Sequence, residues 1–88
     1  MAKNFFVYVL TSDSTGKYYI GQCQDINERL RRHNVSDSKS TVHGRPWRLI
    51  YSEEFESRSA AVKRESFLKS PMGWRDLQRI KASLHSVE

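Results

Sequence analysis

Phe5-Phe6-Val7-Tyr8-Val9-Leu10, a polar run from Thr11 to Gly16, then Lys17-Tyr18-Tyr19-Ile20-Gly21-Gln22: this stretch decides the fold. Its first six residues are all aromatic, β-branched or aliphatic, the composition of a buried strand. Thr11 to Gly16 gathers Thr, Ser, Asp and Gly, which favour turns. Lys17 to Gln22 resumes as a second strand, so the stretch predicts a hairpin. With Leu10 opposite Lys17, Tyr8 falls opposite Tyr19, and directly opposed residues share a face. The interval from Tyr8 to Tyr19 thus sets two phenols side by side, whereas a slip of one residue would part them. Tyr19 also shares its face with Gly21. A strand glycine lets something approach the backbone closely, which suits a substrate pocket or a simple bend.

Beyond the hairpin, Asp25 and Glu28 form a capping-box pattern, predicting a helix from Ile26 to about Asn34. Asn34 to Pro46 is polar and reads as a loop, long for so small a domain. Trp47 to Phe55 alternates as a third strand, with Trp47, Leu49 and Tyr51 on one face. Ser57 caps a second helix over about 58–69, and Ser70-Pro71-Met72-Gly73 breaks it. A third helix runs from Trp74 to about Leu84, with Trp74, Leu77, Lys81 and Leu84 on one stripe. The order ββαβαα predicts an α+β fold, a small three-stranded sheet with three helices packed on it.

The 88 residues are expected to form one domain, residues 1–88, with a modest core. Fifteen Lys and Arg against ten Asp and Glu leave a net charge of +5, which favours polyanions such as nucleic acid. Cys23 is the only cysteine, so no internal disulfide can form. That points to a reducing compartment, and a cytoplasmic location is the expectation. The longest apolar run, Phe5 to Leu10, is too short to span a membrane or form a signal-peptide core. No Walker loop, dinucleotide motif or nucleophile elbow is present, and one Cys with scattered His does not make a zinc site.

Four kinds of residue could carry chemistry. Arg29 and His33, four apart on the first helix, are neighbours that border the stripe of Ile26 and Leu30. They are either catalytic groups or a snorkelling Arg and a partly buried His. Glu65 lies beside Ala61, Val62 and Leu68 and needs a partner, either a metal ion or Lys69. Tyr8, Tyr18 and Tyr51 could be core or edge aromatics. Arg31 and Arg32 read as a solvated face that could also touch phosphates.

Taken together, Phe6-Val7-Tyr8, Tyr19-Ile20-Gly21, the helix Glu28-Arg29-Leu30-Arg31-Arg32-His33-Asn34, the strand Pro46-Trp47-Arg48-Leu49-Ile50-Tyr51 and the helix Ala61 to Lys69 resemble the GIY-YIG nuclease family. The similarity runs from about Phe5 to Leu84 and points to small stand-alone bacterial members, with the nuclease domain of the excision-repair excinuclease a more distant relative. The resemblance implies an endonuclease that hydrolyses DNA phosphodiesters, in DNA repair or processing, with Mg2+ or another divalent cation such as Mn2+. It implies that Tyr8 and Tyr19 line the site and position or deprotonate water, that Arg29 binds the scissile phosphate, that His33 assists proton transfer and that Glu65 ligates the metal. Candidate DNA contacts are Gly21, Arg31, Arg32, Lys39, Arg45 and Lys69.

A single well-placed acid argues against a carboxylate-rich two-metal design and suits magnesium, which keeps waters and takes few protein ligands. A tyrosine base would need nearby cations to lower a pKa of about 10, and His33 is the simpler base. Two departures stand out. Phe6 replaces the first glycine of the family name, and no Asn follows Glu65, although many relatives carry one. The alternative reading is therefore a nucleic-acid-binding domain with little cleavage, and a third is a protein-interaction module. Specificity would be low or would come from a partner protein or a homodimer.

Overall fold

The computed structural model describes residues 4–35 and 42–85 and bears out the ββαβαα order. The candidate contact Lys39 lies outside the described residues. Strands β1 (Phe5–Ser12), β2 (Tyr18–Cys23) and β3 (Trp47–Phe55) form one antiparallel sheet in the order β2-β1-β3. Helix α1 (Ile26–Val35) follows β2, and α2 (Arg58–Lys69) and α3 (Trp74–His85) follow β3. The described part of the stretch predicted as loop includes a 3-10 turn, Val42–Gly44, before a cis Arg45–Pro46 bond.

The hairpin register differs from the expected one. Leu10 pairs with Tyr19 and Tyr8 with Gly21. Thr11 and Ser12, read as turn formers, extend β1 instead, and the reversal tightens to residues 13–17. Ser12 N–H donates to the Lys17 carbonyl, Gly16 N–H donates to the Ser12 carbonyl, and Thr15 N–H donates to Ser12 Oγ. Gly16 takes a φ of 77°, which few other residues tolerate. The displacement is two residues, an even number, so every side chain keeps its face. Tyr8 and Tyr19 are therefore diagonal neighbours on one side of the sheet.

β3 supplies a second correction. Its register against β1 breaks between Val9 and Leu10, where Val9 pairs with Tyr51 and Leu10 with Leu49. The extra residue, Ile50, shifts the alternation by one. Trp47 and Leu49 then share the face of Tyr8, but Tyr51 turns to the opposite side.

Two clusters fill the two faces of the sheet. Tyr8, Leu10, Cys23 and Trp47, with Tyr19 and Leu49, pack against Ile26 and Leu30 of α1. Val7, Val9 and Ile20, with Tyr51, pack against Ala61 and Leu68 of α2 and Leu77 and Ile80 of α3. On α3 the buried stripe is thus Leu77 and Ile80, while Trp74 is 60% exposed. Lys81 lies with its Nζ 3.9 Å from the Tyr18 ring centroid. Arg64 ties the second layer together, donating to Glu53 of β3 at 2.9 Å and to Asp76 of α3 at 3.1 Å.

The helix caps follow the local pattern. Glu28 N–H donates to Asp25 Oδ1 at 3.1 Å, and Ala60 N–H donates to Ser57 Oγ at 3.1 Å. The Glu28 carboxylate is taken by Arg31, with Arg32 nearby. Each cap satisfies an amide that the first helical turn leaves without a partner.

Candidate active site

The face of the sheet beneath α1 gathers the chemistry. Even positions of β1 and odd positions of β2 point there, and α1 lies across them with Arg29 and His33 one helical turn apart. Four of the five residues expected to act meet at this place. The Tyr8 and Tyr19 rings are 6.2 Å apart, and Tyr19 stands 4.7 Å from the His33 ring. Tyr8 and His33 are joined through OH and Nε2 at 3.0 Å. The Arg29 guanidinium acts electrostatically on Tyr8, Cys23 and His33 at once.

The cluster has an inner and an outer pair. Tyr8 is 1% exposed and His33 3%, whereas Tyr19 and Arg29 are half-buried. Burial, reinforced by the neighbouring Tyr19, raises the Tyr8 phenol well above its ordinary range, and Arg29 opposes this only in part. Burial first and the Arg29 charge second lower the His33 pKa. Both effects select the neutral pair at neutral pH. The pair shares one hydrogen bond, and the imidazole tautomer decides which of the two atoms donates. His33 is thus no freely accessible base, because its Nε2 is covered by the Tyr8 hydroxyl. Burial likewise raises the Cys23 thiol, with Arg29 opposing, so this buried thiol stays protonated.

Gly21 leaves space that Tyr8 itself occupies. A Cβ there would lie 2.6 Å from the Tyr8 hydroxyl oxygen and 3.0 Å from Tyr19 Cε1. The close approach foreseen at this glycine is made by the chain's own phenol.

One set of positioning contacts has no signature in the sequence. The Asn34 side chain grips Trp47 from both sides, accepting from its N–H at 2.6 Å and donating to its carbonyl at 2.9 Å. Arg45 Nε donates to the His33 carbonyl at 3.2 Å. These bonds fix the end of α1 to the start of β3 and bring Trp47 to 6.3 Å from Tyr19. In the sequence Asn34 marks only the end of the first helix and the start of a polar loop. Its partner is thirteen residues away, and local patterning does not encode that pairing.

Glu65 is the fifth candidate. It lies on α2, which packs on the other face of the sheet, and its carboxylate accepts from Lys69 Nζ at 2.8 Å. Lys69 is thereby engaged as well. Arg31 pairs with Glu28, while Arg32, 3.7 Å from the same carboxylate, faces solvent. Among the described residues no three His, Cys, Asp or Glu side chains form a ready-made chelate. The donor set still fits a hard cation of the magnesium type. The Glu65 side chain is 21% exposed, and such an ion takes one or two carboxylates and completes its shell with waters and phosphate. Gln22, which alternates with Ile20 on the α2 side of β2, buries its Oε1 without a hydrogen-bond partner, and hard cations also bind amide oxygens.

Comparisons with known proteins show the family and the fold. A model of the GIY-YIG catalytic domain matches residues 4–74. UPF0213 proteins of Staphylococcus aureus, from strains Mu3 and Mu50, are each 38% identical over 77 residues, 86% of this chain and 93% of theirs. The solution NMR structure of a UPF0213 protein from Bacillus halodurans shares the fold with a TM-score of 0.52 at 24% identity, covering 89% of this chain and 85% of that one. No helix among the described residues is long and apolar enough to cross a membrane. A match over most of the chain, with both tyrosine motifs and the Arg-His helix on one face, makes this chain a member of the GIY-YIG nuclease family.

Proposed function

We propose that this protein is an endonuclease that hydrolyses DNA phosphodiester bonds with one divalent cation, in DNA repair or processing. The observation that carries the reading is the convergence of Tyr8, Tyr19, Arg29 and His33 on one face of the sheet. Arg29, half-buried at the rim, binds the scissile phosphate and stabilises the charge that grows on it. Tyr19, the more accessible phenol, orients the attacking water. Tyr8 and His33 form the proton sink behind it. As the Tyr8 oxygen takes up a proton, its own proton passes to His33 Nε2 across the 3.0 Å bond. No free phenolate need accumulate, which answers the objection that a buried tyrosine is too weak an acid to be a base. Glu65 would hold the cation with water and substrate oxygens, and the ion would supply charge neutralisation at the phosphate. Exchange of Lys69 for the ion at Glu65 is part of this reading.

Nicking of supercoiled, linear, flapped and branched DNA, with and without Mg2+, tests it. Wild type is expected to cut only with the metal, and Glu65→Ala and Arg29→Ala are expected to be inactive yet folded. The alternative is a nucleic-acid-binding domain that does not cut. It is favoured by the Glu65–Lys69 pair and by the absence of an Asn after Glu65. Equal trace cutting by wild type and Glu65→Ala, with both binding DNA, would establish that alternative. Selection of the DNA substrate by a partner protein or a second copy is part of the same proposal.

A further inference from the structure

An open cavity of about 290 Å³ lies at the turn end of the sheet, directly beside the cluster of tyrosines, and the proposed reaction does not use it. Tyr19 is a wall of both. Trp47, only 7% exposed and with Gly44 packed on its ring, contributes an indole edge set at 66° to Tyr19, and Tyr18 completes the lining. The rim carries the Lys17 ammonium, the His43 imidazole and the Thr15 hydroxyl, all on exposed residues.

The walls and rim are held rigid by independent contacts. The turn that carries Thr15 and Lys17 is locked by the Ser12 bonds, and Asp13 joins it to β3 through Arg48 at 3.1 Å and through the Pro46 carbonyl. Trp47 is gripped by Asn34. A pre-formed slot with flat aromatic walls and a cationic rim suits a planar π-system bonded to an anion. On a chain of charge +5, beside a site that binds a backbone phosphate, that ligand is a nucleotide of the substrate strand.

We propose that this cavity receives one unpaired nucleobase next to the scissile phosphate, with Trp47 and Tyr19 packing on the base and Lys17 and His43 holding its phosphate. The proposal rests on the nuclease reading and sharpens it. A base inside a duplex enters only after it is unpaired and unstacked, at a cost of a few kcal/mol, so the preferred substrate carries unpaired nucleotides at a duplex end, flap or fork.

The test uses indole fluorescence, because the chain has two tryptophans and only Trp47 lines the cavity. Trp74→Phe leaves Trp47 as the sole reporter. A single-stranded 10-mer is titrated in EDTA at low salt, so cleavage does not intervene, and binding is followed in parallel by anisotropy of the labelled oligonucleotide. Saturable quenching of Trp47 is expected, with none from a blunt duplex of the same sequence. Lys17→Ala with His43→Ala is expected to weaken the single-strand affinity about tenfold or more without changing the melting temperature. Anisotropy without quenching, quenching by duplex as strong as by single strand, an unweakened double variant, or no binding at all would each overturn the proposal. Nicking in Mg2+ separates the two readings. Cleavage with a silent Trp47 removes the base pocket and leaves the nuclease, whereas quenching without cleavage removes the nuclease and leaves the pocket.

Discussion

Replacing Gly21 by alanine probes the tightest contact in the site. The new Cβ would stand 2.6 Å from the Tyr8 oxygen, 2.8 Å from Tyr8 Cζ and 3.0 Å from Tyr19 Cε1. Ordinary contacts of these types are about 3.3–4.0 Å, so the phenol must retreat by roughly 1 Å. An exposed tyrosine would swing away at little cost. Tyr8 is fully buried among Leu10, Cys23 and Trp47 and cannot. Overpacking of this kind costs about 1–3 kcal/mol. Retreat also weakens the bond to His33, worth about 1 kcal/mol net. Against these, exchanging Gly for Ala in a strand recovers about 0.5–1 kcal/mol.

The balance is a loss of about 1–3 kcal/mol, equivalent to a drop in Tm of roughly 5–20 °C for a domain of this size. Thermal melts of wild type, Gly21→Ala, Tyr8→Phe and the double variant complete a cycle. Tyr8→Phe deletes the nearest clashing atom, so it is expected to cost at least about 0.5 kcal/mol less in the alanine background than in wild type. A Gly21→Ala protein melting within about 2 °C of wild type, or a cycle with no coupling, would refute the wedge of Tyr8 against the strand.

Three further outcomes follow from the same geometry. The His33 pKa is depressed in the fold, so the stability from its neutral form is present above about pH 6.5 and is lost as pH falls through the lowered value. Wild type should therefore lose Tm between pH 7 and 5 more steeply than His33→Gln, whose amide oxygen still accepts from Tyr8, and parallel slopes would remove His33 as the titrating group. Arg29→Ala is expected to raise the His33 pKa, because the guanidinium is the second cause of its depression, while burial still holds it below the ordinary value. An NMR titration of the His33 ring checks this, and an unmoved value would place Arg29 away from the site. Asn34→Ala removes both bonds to Trp47 and leaves its backbone N–H and carbonyl unpaired, at a cost of about 2–4 kcal/mol in urea unfolding. A loss under about 1 kcal/mol would show that the clamp is replaceable by water.

Local pattern carried most of the architecture. A continuous apolar run set β1, alternation set β3, the Asp25 and Ser57 caps placed α1 and α2, and Ser70 to Gly73 ended α2. These are decided by interactions within a few residues, and neighbours in sequence suffice to read them. The common face of Tyr8 and Tyr19 was legible for a related reason. Side-chain direction in a strand depends only on parity, so it survived a hairpin register that differed from the expected one by two residues. The i, i+4 spacing of Arg29 and His33 was equally secure.

Only the tertiary structure decided the rest, because it turns on distances between parts of the chain that do not encode one another. The odd shift at Ile50 sent Tyr51 to the opposite face from Trp47. Burial by α1 made Tyr8 and His33 a neutral, hydrogen-bonded pair in place of an exposed base. Asn34 became a clamp on Trp47 thirteen residues away. The Glu65 carboxylate is paired with Lys69, one turn further along α2. Sequence alone determined which residues could act and that Tyr8 and Tyr19 share a face. Packing determined which of them meet, how dry each one is, and so which proton each can hold.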